Sequence, residues 1–355
     1  MNSSARNVRA TDIAQIAGVS QATVSRVLSG STQISEATRQ KVMQVVQDVG
    51  YTPNAFAQAM RTRQSRTIGV AVSRVTNPVV PEILEALGTR LAVLGRRMVV
   101  WNTDSEGEAG VIEAVRHGTV DGLIFTAASH QAASIDAALD RNVPTVLFNR
   151  PLDGVPCDQV VSTNRDGAAA VAQYLVSGGR RRIAYLSGPL DRTTLAARAE
   201  GFCEGLAAVG HPLWRRGGED TFFDHDRFRE IAIGLMQGPE PCDAIACGND
   251  VIAFAVLNGL TAIGVSVPDD VWVVGFDGVT MSGWDVFDLT TMRQPWDVMA
   301  DGAVSALIDR IECRRTSPRT IQARTDLLVR GSTAHWPATH RDALAQTTNH
   351  KGRIP

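Results

Sequence analysis

Thr11-Asp-Ile-Ala-Gln-Ile-Ala-Gly18-Val-Ser20-Gln-Ala-Thr-Val-Ser-Arg26-Val-Leu-Ser-Gly30 decides the reading of the amino-terminal region. Apolar positions recur at helical spacing on both sides of one glycine. The pattern predicts a first helix from about Asp12 to Ala17, capped by Thr11. Gly18 supplies the sharp turn, since glycine takes a left-handed conformation cheaply. Ser20 then caps a second helix whose first turn is Gln21-Ala22-Thr23. Ile13, Ile16, Ala17, Val19, Val24 and Val27 form the expected buried seam. Gln21, Ala22, Ser25 and Arg26 are left facing outward. This is the layout of a helix-turn-helix, whose second helix enters the DNA major groove.

Outward from this stretch, Ser35 reads as the cap of a third helix with an apolar stripe at Val42, Val45, Val46 and Val49, ended by Gly50. Pro53 to Arg61 is a helix candidate too short to stand alone in water. Residues 1–66 hold eight Arg or Lys against three acids, a net +5, while the whole chain carries −2. A basic head on an acidic body points to phosphate contact through the head alone. In the second helix Arg26 suits a guanine edge, Gln21 an adenine and Ala22 a thymine methyl. Ser20, Thr23, Ser25 and Asn54 suit backbone phosphates.

From Thr67 on, short apolar runs alternate with helical stretches. Expected strands are Ile68–Val72, Met98–Trp101, Leu123–Phe125, Val146–Phe148, Ile183–Leu186, Ile245–Cys247 and Val271–Phe276. Amphipathic helices are expected at Pro81–Leu94, Gly167–Val176 and Ala197–Val209. Such alternation predicts doubly wound parallel sheets. The strands are too many for one compact sheet, so an α/β body of two lobes is expected. A ligand then falls in the crevice at the strands' carboxyl ends. Polar groups recur there: Ser73-Arg74 with Asn77, Asn149-Arg150, Ser187-Gly188-Pro189, Asn249-Asp250 and Asp277-Gly278. The expected organisation is an all-α head over 1–52, a hinge and linker over 53–66, a body over 67–333 and a polar tail over 334–355. Within the body, one lobe takes about 67–164 and 295–322, the other about 165–294 and 323–333.

The resemblance is carried by Ala14-x-x-Ala17-Gly-Val-Ser20-x-x-Thr23-Val-Ser25-Arg26-Val-Leu28 and by Tyr51-x-Pro53-Asn54. Later segments fit in order and spacing to about Thr333. The chain resembles the lactose-repressor (LacI/GalR-type) family of bacterial transcription regulators. That resemblance implies a periplasmic-binding-protein-like body and a homodimer on a palindromic DNA operator. It also implies a hinge helix over 53–61 that wedges Met60, where leucine is usual, into the central minor groove. Arg198-Ala-Glu-Gly201-Phe, Asn249-Asp250, Val-Gly-Phe-Asp277 and Leu-Thr-Thr-Met-Arg-Gln294-Pro match family landmarks. By resemblance Arg198, Asn249, Asp277 and Gln294 meet a carbohydrate effector, Phe222 and Trp296 pack on its ring, and Asn77 and Asn149 complete the set. Two departures stand out. Asn149 replaces an acid found in some sugar-binding members, and Thr163-Asn164 replaces the commoner Asp-Asn. One fewer carboxylate favours an acidic sugar.

Other classes find little support. A chain of 355 residues that is 44% hydrophobic is ordinary for a globular protein. No apolar run reaches membrane-spanning length, and no apolar signal core follows the first residues, so a cytoplasmic location is expected. A free periplasmic sugar-binding protein would share the body but not the basic head. Five cysteines without a Cys-x-x-Cys pair read as buried free thiols. There is no His-Glu-x-x-His, no Gly-x-Ser-x-Gly, no Gly-x-Gly-x-x-Gly after a strand, and neither Lys41 nor Lys351 follows a glycine. No metal, cofactor or catalytic role is expected.

Overall fold

The computed structural model describes residues 9–28, 31, 33–51, 64–104, 107–127, 132–221 and 224–333. The hinge candidate with Asn54 and Met60, together with Phe222, lies outside them. The chain divides at Arg66 and Thr67 into two compact units.

The first unit carries α1 (Ala10–Ala17), α2 (Gln21–Leu28) and α3 (Glu36–Asp48). Its start corrects the expectation at Thr11. The helix begins at Ala10, and the Arg9 N–H donates to Asp12 Oδ2 at 2.8 Å in place of a threonine cap. Gly18 takes φ +60° and the chain turns, as its lack of a Cβ permits. Ser20 Oγ accepts from the Thr23 N–H at 3.1 Å, and Ser35 Oγ caps α3 through the Thr38 N–H. At the far end of α3 the Tyr51 N–H reaches Val46 O at 3.0 Å around Gly50, φ +62°, which closes the helix. Ile13, Ala14, Ala17, Val24, Val27 and Val42 form the small core. Ile16 is not in it and is 58% exposed. With about 100° per residue, Ile13, Ala14 and Ala17 share one arc of α1, and Ile16 falls well outside it.

The second unit is built on two six-stranded sheets. The first contains β1 (Thr67–Val72), β2 (Arg97–Asn102), β3 (Gly122–Phe125), β4 (Thr145–Phe148), β5 (Asp158–Ser162) and β11 (Thr320–Ala323), in the order β11-β5-β4-β3-β1-β2. The second contains β6 (Ile183–Leu186), β7 (Arg215–Gly217), β8 (Ala244–Cys247), β9 (Trp272–Asp277), β10 (Thr290–Arg293) and β12 (Asp326–Leu328), in the order β12-β10-β9-β8-β6-β7. All pairings are parallel except β10 with β12. Five of these strands escaped the apolar-run reading. β7 and β11 are short and polar, β5 begins Asp-Gln, and the buried part of β10 is Thr290-Thr291-Met292 rather than a run of branched aliphatics.

The helices of this unit are α4 (Val79–Val93), α5 (Gly107–His117), α6 (Ala133–Asp140), α7 (Asn164–Ser177), α8 (Thr193–Ala208), α9 (His225–Gln237), α10 (Asp250–Ala262) and α11 (Trp296–Ile311). α4 and α11 share a core with β1, β4 and β5, whereas α7 and α8 share one with β6, β8 and β9. The chain therefore passes between sheets three times, after β5, after β10 and between β11 and β12. Thr163 and Thr325, in the first and third passages, are tied together. Their hydroxyls lie 3.1 Å apart and the Thr325 N–H donates to Thr163 Oγ1 at 3.0 Å. In each sheet the strand order reverses beside the first strand, between β1 and β3 and between β6 and β8, which puts a crevice at both sets of carboxyl ends. Among the described residues no helix is long and apolar enough to cross a membrane.

Candidate functional site

Two surfaces gather the residues singled out by sequence. The first is the outer face of α2. Val24 and Val27 are buried, and Gln21, Ala22 and Arg26 lie exposed across the helix from them, with Ser25 half-buried between. Ser20 is exposed and Thr23 half-buried at its amino end, their hydroxyls 2.9 Å apart. Backbone N–H groups at that end also favour anions. The positioning is local in origin, since the cap at Ser20 and the turn at Gly18 set the start and phase of α2.

The second surface is the crevice between the sheets, and Arg198 is its hub. The side chain is 3% exposed, so its charge must be met within the protein. Nε donates to Asn164 Oδ1 at 2.7 Å, Nη1 to Gly248 O at 2.7 Å and Nη2 to Asp277 Oδ1 at 2.8 Å. The guanidinium also lies over the Phe276 ring, 3.9 Å from its centroid. Three of five N–H groups are used, and each terminal nitrogen keeps one for a ligand. Close helix packing makes this reach possible. A Cβ on Gly201 would stand 2.1 Å from Arg165 O, so only glycine lets α8 lie against α7 and bring Arg198 to Asn164.

Asp277 ends β9 at φ +122°, a conformation side chains rarely take, and it accepts from Gln294 Nε2 at 3.1 Å as well as from Arg198. A Cβ on Gly278, φ +69°, would come 2.6 Å from Arg293 Cα. Beneath them Asp250 is fully buried, accepting from Thr291 Oγ1 at 2.5 Å and the Val279 N–H at 2.9 Å. Burial first, and then the neighbouring Asp277, push its carboxyl up to about 8, against the pull of those hydrogen bonds. Asn249 caps α10 by accepting from the Ile252 N–H at 2.9 Å, which commits its oxygen to the backbone. Asn77 similarly accepts from the Val79 N–H at 3.1 Å.

On the opposite side Phe148 ends β4 and stacks on Trp296, centroids 6.2 Å apart. Asn149 follows at φ +71°. Asn149 Oδ1, Arg150 Nε, Gln294 Oε1 and Trp296 Nε1 are all buried without a hydrogen-bond partner. Buried orphan polar atoms are costly, and their gathering at one crevice marks a place where a polar molecule completes the bonding. Arg150 was visible in sequence only as a strand-end residue. Its basicity is pushed down to about 10, by burial first and then by Arg192, Arg198 and Arg74, with Asp191 opposing.

The structure thus brings Arg198, Asp277, Gln294, Asn149 and Trp296 to one crevice, with Asn77 and Asn249 at neighbouring strand ends. Asn164 and the Gly248 carbonyl had not been assigned site roles. In sequence, Thr163-Asn164 stands out only as a departure from the family pattern. The thiols are mixed, with Cys157, Cys242 and Cys247 buried and Cys313 exposed, the last because it follows α11 in a surface turn. Among the described residues no group of three or more His, Cys, Asp or Glu could hold a metal ion.

Comparison with known proteins follows this geometry. Residues 11–54 match the model of bacterial regulatory proteins of the lacI family, and residues 172–333 match a periplasmic binding protein-like domain. The chain is 30% identical to the ribose operon repressor of Escherichia coli (strain K12) over 326 residues, covering 90% of this chain and 98% of that one. The chain belongs to the LacI family. It is also 27% identical to the transcriptional repressor PurR of Vibrio parahaemolyticus over 325 residues, covering 90% of this chain and 97% of that protein. The solved lac repressor dimer bound to operator and the anti-inducer ONPF matches 92% of this chain and 99% of its own, at 26% identity and a TM-score of 0.81. The α1–α3 unit is the LacI helix-turn-helix domain, and the two-sheet unit is the periplasmic-binding-like domain. This LacI-family chain is accordingly a transcriptional repressor with a ligand-binding domain.

Proposed function

We propose that this repressor, as a cytoplasmic homodimer, grips a palindromic operator through the outer face of α2 and releases or tightens it when a carbohydrate-type effector, sugar or sugar acid, fills the crevice. The chain binds its effector and does not transform it. The observation that carries the reading is the buried Arg198 network, which spans α7, β8 and β9 and keeps two N–H groups for a ligand. A planar cation, amides and a carboxylate suit a polyhydroxylated molecule, and the Trp296 ring suits its C–H face. The name of the ribose operon repressor fits this class. A ligand bonded to both walls holds the lobes at one angle, and differential binding to two lobe arrangements is what alters operator affinity. Asn54 and Met60 belong to the hinge in this proposal, and Phe222 to the ring-packing set.

Self-association has its own support. Val93 and Leu94 at the end of α4 and Val99 and Val100 on the edge strand β2 are exposed, as are Trp284, Val286 and Val298. Exposed apolar faces of this kind suit coverage by a second copy, and a twofold dimer matches twofold DNA.

The test is selection of bound duplexes from a random pool at fixed salt, because phosphate contacts respond to salt. The expected product is a two-fold palindrome. Arg26→Ala should cost about 1–3 kcal/mol at one guanine and relax selection there. Selection of single, unpaired half-sites, or a palindrome unchanged by Arg26→Ala, rejects the assignment of α2.

A further inference from the structure

Resting on the carbohydrate-effector reading, we infer that the effector is an anion, and that its charged head sits between Arg150 of the first lobe and Arg192 of the second. The argument begins with position. Arg74 follows β1 and Arg150 follows β4, on either side of β3, so their backbones lie about 10 Å apart along the crevice edge. Arg192 precedes α8, and Arg198 is one turn into it, on the opposite wall. Arg150 lies within electrostatic reach of all three.

The carboxylates near these four cations are already engaged. Asp277 pairs with Arg198 at 2.8 Å, Asp191 sits 3.5 Å from Arg192, and Asp104 accepts the Arg74 backbone N–H. Burial first, and then Asp277, hold the Asp250 carboxyl up to about 8, which weakens it as a counter-charge. Among the described residues no carboxylate forms an ion pair with Arg150, and its buried Nε has no hydrogen-bond partner. Its neighbour Asn149, with an unpartnered Oδ1, supplies no charge where a carboxylate would have neutralised the site.

A half-buried guanidinium with no ion-pair partner of its own and an orphaned Nε is costly unless something negative arrives. An anionic oxygen head meets that need, and a guanidinium binds a carboxylate or a phosphate through two parallel bonds. The consequence reaches beyond affinity. Arg150 and Arg192 stand on different lobes, and Asp191 offsets only part of the like charge between them. An anion between them is attracted on both sides, and closure follows from the charge of the ligand rather than from its hydroxyls. Neutral sugars of the same shape would lack this drive.

The experiment uses the full chain and matched sets that differ only in the head: glucose, gluconate and glucose 6-phosphate, with ribose, ribonate and ribose 5-phosphate. Each is titrated calorimetrically at constant ionic strength. Acetate and inorganic phosphate, as heads alone, are read by melting temperature against chloride. The expected result is that an anionic member binds at least about tenfold tighter than its neutral parent, and that acetate or phosphate raises the melting temperature. Arg150→Gln should erase both effects, and Arg150→Lys should restore part of them, which separates loss of charge from loss of fold. Arg192→Gln should weaken the same preference. A carboxylate winner identifies a sugar acid and a phosphate winner a phosphorylated sugar, and either supports the inference. Equal binding of neutral and anionic members, or an anion preference that survives Arg150→Gln, overturns it and leaves the carbohydrate reading standing. If neither the sets nor the heads alone bind, the inference and the carbohydrate reading both fall, while operator selection decides the DNA-binding reading separately.

Discussion

On the second lobe's wall Arg198 meets its partners before any ligand arrives: Asn164, the Gly248 carbonyl and Asp277 each take one of its N–H groups. On the first lobe's wall Asn149, Arg150 and Trp296 each bury a polar atom with no partner, against Gln294 Oε1 just past β10 on the second. The first arrangement is preorganised and loses little freedom on binding, so it suits contacts common to many hydroxylated ligands. The second is less complete, and on the proposed reading it is where the ligand's own polar groups count most. On the proposed reading, ligand choice is weighted towards the first lobe and general affinity towards the second.

That contrast can be broken most forcefully at Arg198. Arg198→Met leaves Asp277 buried beside its strained backbone without a counter-charge, and should cost about 3–5 kcal/mol of stability with loss of the effector response. Denaturant unfolding checks it, and the Arg198→Met, Asp277→Asn double variant should recover part of the loss. A cost below about 1 kcal/mol would mean that the network is not preformed.

Asp250 tests how deep the ordered wall extends. Its carboxyl is raised to about 8 in the fold, against about 4 in the unfolded chain. Between those values the folded protein keeps a proton that the unfolded chain has released, so this group's stabilisation is full below pH 4 and is lost as pH rises through 8. Asp250→Asn does not titrate. Its unfolding free energy should gain on the wild type from pH 5 to pH 8, at a limiting slope of about 1.4 kcal/mol per pH unit, with melting temperature following. Parallel melting curves across that range would place the ionised carboxylate in the fold.

Asn149→Asp sharpens the contrast from the other side. It gives Arg150 an internal counter-charge, and should weaken an anionic ligand by about tenfold while improving a neutral one. Calorimetry with one matched sugar pair reads the exchange, and an unchanged ratio would separate Asn149 from ligand choice. The smallest effect is expected at Thr163→Val, which removes the hydroxyl linking two chain passages. About 1 kcal/mol of stability should go, seen in thermal unfolding, and Thr325→Val should add little more in the double variant because both act through one contact.

The head was legible in sequence because its determinants are local. Gly18, Ser20, Ser35 and Gly50 act within a turn of themselves, and their caps and turns are found where the residues indicate. Ile16 was misjudged because the apolar residue at that spacing sits outside the arc shared by Ile13, Ala14 and Ala17. In the body the apolar central strands were legible, and β5, β7 and β10–β12 were not. Strands such as Arg215-Arg216-Gly217 carry too little apolar signal, and Thr290 and Thr291 are buried through side-chain hydrogen bonds instead. Of the site, Arg198 and Asp277 came with the family pattern. Asn164 and the Gly248 carbonyl could not, because what selects them is the helix contact at Gly201. The charge environment of Arg150 is a property of four chain segments meeting, which no local pattern encodes.

The three passages between the lobes have a kinematic meaning. One connection would leave the lobes free to swivel in any direction, and two would still allow twist and rocking. Three, two of them bonded through Thr163 and Thr325, restrict the relative motion of the lobes further. On the proposed mechanism, such restriction makes different ligands that close the crevice produce similar displacements at the far ends of the sheets. Beta strand β1 starts at such an end, at Thr67, where the chain arrives from the head. On that mechanism the shape of the motion belongs to the connections, and a change at Asn149 or Arg150 alters which ligand drives it without altering the motion.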